Sequence, residues 1–213
     1  VALFPGFQAL DVFGPLDVLN VISSSVKIEL SIVAATLDPV STKIPPLFPD
    51  RQQELNGPGS DCGQSVLPTH TFASPPEKID VLLVPGGFGN RDEKSAAPVI
   101  EFIRSVFPSQ VKYLITVCTG SAIAAQAGVL DGKRATTNKR AFDYVVGLRK
   151  EVDWVRRARW VVDGNIWTSS GISAGIDVMF AFVEGIYGRE LAHGTAKRME
   201  YVRNENWEDD PFA

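Results

Sequence analysis

The chain has 213 residues, of which 45% are hydrophobic and 22% charged, a composition that excludes collagenous, low-complexity and intrinsically disordered classes. Twenty-one basic against 25 acidic residues leave a net charge of −4, the wrong sign for a protein that coats phosphate backbones. No apolar run approaches the roughly 20 residues that span a bilayer, so neither nucleic acid nor membrane is an expected partner.

Val1 to Phe4 is a short apolar run closed by Pro5-Gly6, which predicts a strand and a loop. The numbering opens inside that strand pattern, so a few native residues are expected to precede it. A helix is predicted from Gly14-Pro15, with proline at the favoured first position and Asp17 in the first turn. Lys27 to Ala35 is a second strand candidate. Prolines then crowd between Pro39 and Pro76 around a polar stretch, which predicts a surface excursion at about 38–76 and no domain boundary. Ile79 to Val84 and Tyr113 to Val117 are continuous apolar runs of the kind found in parallel strands covered on both faces, and Ala96 to Phe107 between them has helical spacing. Asp163-Gly164-Asn165 joins two β-rich arms as a hairpin, and Ser173 to Tyr187 and Arg189 to Val202 read as closing helices. The alternation predicts one α/β domain over 1–213, a parallel-rich sheet sandwiched by helices in the flavodoxin-like manner.

Two cysteines, Cys62 and Cys118, allow at most one bridge and favour a reducing, cytoplasmic setting. Cys118 carries the strongest chemical signal. It ends an apolar strand, and Gly120, Ser121 and Ala122 then open a helix, which makes a strand-to-helix elbow. A thiol there faces the unpaired N–H groups of the helix start, which favour the thiolate. The competing reading is a small buried cysteine present for packing. Cys62, in the polar excursion, reads as incidental.

Pro85-Gly86-Gly87-Phe88-Gly89 follows another buried strand at its carboxyl end, where open α/β sheets collect ligands. Adjacent glycines let backbone amides approach an anion, although a plain tight turn has the same composition. The spacing matches neither a Walker loop nor a dinucleotide fingerprint. Asp11 is an acid among apolar residues in the predicted first loop, either capping a backbone amide or moving protons. His70 and His193 have no recognisable catalytic or metal-ligand context, so no metal is expected and a carboxyl leads as the proton-transfer group. The basic clusters Lys133-Arg134, Lys139-Arg140 and Arg156-Arg157-Arg159 read as solvated faces.

FPGFQALDVFGPLDVL, VPGG, TVCTGS, AGVLDGKRATTN and DGNIWTSSGISAGID together resemble the ThiJ/PfpI superfamily, whose fold is similar to class I glutamine amidotransferase domains. Asp11, Cys118 followed by Thr119, and GISAGID most resemble its isocyanide hydratase branch. Protease-like and glyoxalase branches usually carry glutamate at the position of Asp11, and the protease-like ones have histidine after the cysteine. The chain departs from the hydratases in the Pro-rich excursion and in Asn138, where a histidine often stands. The resemblance implies a cofactor-independent homodimer acting on a small molecule. In it Cys118 is the nucleophile, Asp11 handles protons, Thr119 with the Gly86-Gly87 amides lines the pocket, and Ile172 packs beside the cysteine. The implied reaction is hydration of an isocyanide to a formamide. A glyoxalase or related cysteine hydrolase, and a non-enzymatic sensor that oxidises a low-pKa Cys118, are the alternatives.

Overall fold

The computed structural model describes residues 1–44, 61–107 and 109–213. A four-stranded sheet forms the centre, in the order β5 (Ile79–Val84), β6 (Val111–Thr116), β10 (Ile166–Ser169) and β9 (Trp160–Asp163). β5, β6 and β10 are parallel, and β9 closes the edge antiparallel to β10 through the Gly164-Asn165 turn. On the other side of β5, the extended run Val1–Phe4 continues the layer: Ala2 donates to the Leu83 carbonyl at 3.0 Å, and Leu3 to that of Val33 at 2.8 Å. Val33 belongs to β1 (Val33–Ala34), which pairs in parallel with β4 (His70–Thr71). Only two residues of the predicted Lys27–Ala35 strand are therefore strand. Residues 29 and 30 are exposed and make no ladder bonds.

Successive residues of a strand point to opposite faces, and here both faces are buried. Leu82, Val84 and Leu114 join Val99, Phe102 and Ile103 of α2 (Glu93–Val106) and Ile123 of α3 (Gly120–Gln126). Leu83 and Ile115 face the other way, into Val18 and Ile22 of α1 (Ala9–Ile22), Val178 and Phe182 of α5 (Ala174–Tyr187), and Ala192 of α6 (Arg189–Arg198). This is the expected helix–sheet–helix sandwich, and the apolar runs of β5 and β6 follow from it. The excursion leaves and returns through an antiparallel pair, β2 (Val40–Ser41) and β3 (Ser65–Val66), and its residues 45–60 lie outside the described residues. β7 (Arg134–Ala135) and β8 (Asp153–Trp154) flank α4 (Phe142–Leu148) as a small parallel pair. Among the described residues no helix is long and apolar enough to cross a membrane.

Three expectations are corrected. α1 starts at Ala9, not at Gly14, and Pro15 lies inside it, so Asp11 is a first-turn helical residue and Asp17 an exposed mid-helix one. The proline suggested a helix start, yet tertiary bonds set that start: Gln8 donates to the Gly86 carbonyl at 2.8 Å. The last helix stops at Arg198, before Val202, and the tail after it is docked. Lys139 and Arg159 are not solvated, because each inserts toward a buried carboxylate.

Candidate active site

Strand β6 ends at Thr116, and within three residues the chain turns into α3. The turn is made at Cys118, whose φ of +56° lies in the left-handed region that non-glycine residues rarely occupy. Such a conformation costs on the order of 1–3 kcal/mol and persists only where its surroundings over-determine it. They do so here. Cys118 N–H donates to the Ser170 carbonyl at 3.0 Å, and its own carbonyl accepts from the hydroxyls of Ser121 and Thr137, each at 3.1 Å. The elbow therefore aims the sulfur away from the sheet, toward the start of α1.

Asp11 waits there, fully buried. Its Oδ2 accepts the Gly86 N–H at 2.8 Å, which with the Gln8 bond to the Gly86 carbonyl clamps the glycine turn to α1 from both sides. The second oxygen, Oδ1, has no regular hydrogen-bond partner and is left to the Cys118 thiol. Gly86 admits no side chain, because a Cβ would lie 2.6 Å from Thr119 N. Gly87 is held at φ +136° with the Gly6 carbonyl 2.3 Å from where its Cβ would be. The two glycines thus serve close packing of three segments. Their amides are engaged internally: Gly87 N–H donates to Thr119 Oγ1 at 3.2 Å. Thr119 is fixed further by Asn90, which donates to its carbonyl at 2.9 Å.

The thiol's other neighbours come from distant segments. Asn138 Nδ2 donates to Sγ at 3.3 Å, while Asn138 Oδ1 accepts the Ala141 N–H and caps the short turn Lys139–Ala141. The backbone N–H of Ile172 also points at the sulfur, from a residue itself held at φ +31°. Asn138 was visible in the sequence only as a substitution for histidine; a separation of 20 positions concealed its contact with the sulfur. His70 sits on β4 at the sheet edge and His193 is exposed on α6.

These surroundings decide the resting protonation. Burial pushes the Cys118 thiol up to about 12, the charge of Asp11 pushes in the same direction, and the N–H groups of Ile172 and Thr119 with the Asn138 amide only partly offset them. Burial likewise raises Asp11 to about 7 against the pull of Gly86 and the thiol. Burial and the Asp11 charge therefore work against the thiolate that the N–H groups at the start of the seven-residue α3 favour. The site pairs a thiol and a carboxyl that burial raises together, with one contact between them through which a proton can pass. Cys118 is 6% exposed, and its neighbours Ile172 and Asn138 are both partly exposed.

The chain is similar to known proteins over most of its length. The model of the DJ-1/PfpI family matches residues 1–185. An isonitrile hydratase from Pseudomonas putida is 34% identical over 202 residues, covering 94% of this chain and 76% of that protein. A deglycase from Pyrococcus abyssi is 35% identical over 97 residues, 46% of this chain and 55% of that protein. A crystal structure of a ThiJ/PfpI family protein from Pseudomonas syringae superposes with a TM-score of 0.71 at 27% identity, over 97% of this chain and 75% of that one. A parallel sheet between two helical layers, a strained cysteine at its carboxyl edge and a family match over most of the sequence lead to one statement of kinship: the chain belongs to the DJ-1/PfpI family.

Proposed function

We propose that the protein hydrates isocyanides, R–NC, to N-substituted formamides, with Cys118 as nucleophile and Asp11 as the proton carrier. The observation that carries this reading is the pairing of a buried thiol with a carboxyl raised to about 7 whose Oδ1 has no regular hydrogen-bond partner. An isocyanide has a terminal carbon that must receive a nucleophile and a proton, and this pair supplies both.

As sulfur attacks the terminal carbon, ionised Asp11 takes the thiol proton and returns it to that carbon, which gives the thioimidate R–N=CH–S–Cys118. Water then adds to the same carbon: ionised Asp11 accepts one of its protons and passes that proton to the nitrogen, while the other stays on the new hydroxyl. The tetrahedral adduct R–NH–CH(OH)–S–Cys118 collapses, the C–S bond breaks, and the hydroxyl proton passes back to sulfur through Asp11. The sum is R–NC plus water to R–NH–CHO. The N–H groups of Ile172 and Thr119 and the Asn138 amide steady the sulfur as it gains and loses charge. Thr119 Oγ1, already accepting from Gly87, keeps its own hydrogen for the oxygen that arrives with water. A linear, slender –NC group suits a largely buried cysteine, and the hydratase relative supports the same substrate class. No step calls for a cofactor.

Deglycase or glyoxalase chemistry on a carbonyl is a second reading, favoured by the Pyrococcus relative. Burial of the thiol and the neighbouring Asp11 charge, which work against the thiolate an oxidant needs, count against a peroxide sensor. The protein is proposed to act as a homodimer: Leu10 and Phe13 of α1 are 42% and 44% exposed, next to the site-bearing turn. Light scattering reads that directly. The decisive test of function incubates the protein with alkyl and aryl isocyanides and follows formamide by mass spectrometry. Formamide that disappears in Cys118→Ala supports the hydratase. Methylglyoxal consumption without isocyanide turnover would replace it with the second reading.

A further inference from the structure

Lys139 is a lysine with almost no access to water: its side chain is 5% exposed, and that of its counter-ion Asp210 is 0% exposed. The ammonium donates to Thr136 Oγ1 at 2.8 Å, the Thr137 carbonyl at 3.1 Å and the Ala158 carbonyl at 2.8 Å, which occupies all three of its hydrogens. Asp210 Oδ2 lies 3.4 Å away and supplies the balancing charge. Burial and the neighbouring guanidinium groups of Arg156 and Arg159 pull Lys139 down, while Asp210 opposes them. A buried pair of this kind is a costly way to join two segments if stability is its only purpose.

The two segments it joins are the C-terminal tail and the loop that touches the thiol. The tail is docked by other bonds as well. Arg159 N–H donates to the Trp207 carbonyl at 2.6 Å, and Asn204 N–H donates to Asp177 Oδ1 at 2.9 Å. On the opposite side, the loop Thr136–Asn138 meets the elbow twice, through Thr137 Oγ1 on the Cys118 carbonyl at 3.1 Å and Asn138 Nδ2 on Sγ at 3.3 Å. Two of the three oxygens that Lys139 holds belong to that loop.

We propose that Lys139 and Asp210 are positioning residues for the reactive sulfur: the C-terminal tail anchors Lys139, Lys139 fixes the Thr136–Asn138 loop, and the loop keeps the Asn138 amide on Cys118. The proposal rests on Cys118 being the reacting group of the hydratase reading, and it gives the tail a part in the chemistry. A donor aimed at sulfur counts only while it stays in place, and removing the tail's carboxylate frees the lysine to leave the loop.

The test uses the full chain with Cys62→Ser, so that iodoacetamide alkylation followed by mass spectrometry reports Cys118 alone. The rate is measured from pH 6 to 10 without substrate. Asp210→Asn and Lys139→Met should slow alkylation at each pH by about tenfold, the scale of one hydrogen bond to a charged acceptor. Lys139→Arg should restore part of the rate. In an Asn138→Ala background Asp210→Asn should add nothing further, because the route to sulfur is already cut. Asp210→Glu, which keeps the charge, gives a smaller shift and serves where Asp210→Asn does not fold. A folded Asp210 variant with the parent profile, or full additivity with Asn138→Ala, would overturn the proposal. Absence of formamide from the wild-type protein, with these shifts intact, sinks the hydratase reading alone.

Discussion

Asp11 and Cys118 act on each other in opposite senses: the carboxylate pushes the thiol further above its ordinary value, whereas the thiol, by hydrogen bonding to the carboxylate, pulls Asp11 back toward its own. One negative charge is stable in this pocket and two are not. The pair therefore behaves as a single acid that passes one proton between oxygen and sulfur.

Asp11→Asn should move two measurements in opposite directions. Turnover of isocyanide should fall by about 10²-fold to 10⁴-fold, the range for loss of a general acid–base. Alkylation of Cys118 at pH 8 should rise, because the repelling charge is gone. Stopped or unchanged alkylation with lost turnover would show that Asn138 and the backbone donors, not Asp11, govern the thiol.

The pH dependence follows from the raised carboxyl. Turnover should climb as Asp11 ionises through about pH 7 and level off above it, since the first step needs the base form. Stability runs the other way. A carboxyl at 3.8 when unfolded and about 7 when folded binds its proton more tightly in the native state. Its contribution is complete below about pH 4 and is lost as pH rises through about 7, a change on the order of 4 kcal/mol. Urea titrations of wild type and Asp11→Asn at pH 4.5 and 8 check this, with the slope expected in wild type only.

Gly171→Ala tests the Asn138 contact from outside. A Cβ at Gly171 would lie 2.8 Å from Asn138 Nδ2, the end of a movable side chain. The fold should accept the change at a cost of about 1 kcal/mol, while the displaced amide leaves the sulfur. Slower Cys118 alkylation with little change in melting temperature is the expected outcome.

Asp177 is the other buried carboxylate that closes the tail. It accepts from Arg159 Nε at 2.9 Å, from Tyr201 Oη at 3.0 Å and from Asn204 N–H at 2.9 Å. Asp177→Ala should destabilise the protein by about 3–5 kcal/mol, because Arg159 is left buried and unpaired. Chemical denaturation measures it. Loss of under 1 kcal/mol would mean that the tail is held by its apolar contacts.

Local physics made much of this molecule legible in the amino-acid order. Ile79–Val84 and the run ending at Val117 announce buried parallel strands, because only strands covered on both faces are apolar at every position. Asp163-Gly164-Asn165 announces a hairpin, Gly164 adopting a φ of +61°. The sequence of apolar strand, cysteine and small residues announces the elbow. Each of these depends on neighbours a few residues away. The start of α1 did not follow from its proline, since bonds to Gly86, seventy-five residues beyond Asp11, place it. The upward shift of the thiol and of Asp11, the Asn138 amide on sulfur and the burial of Lys139 with Asp210 were likewise decided by packing. Ionisation depends on how much water a group loses and which charges surround it, and both are known only once distant segments have come together.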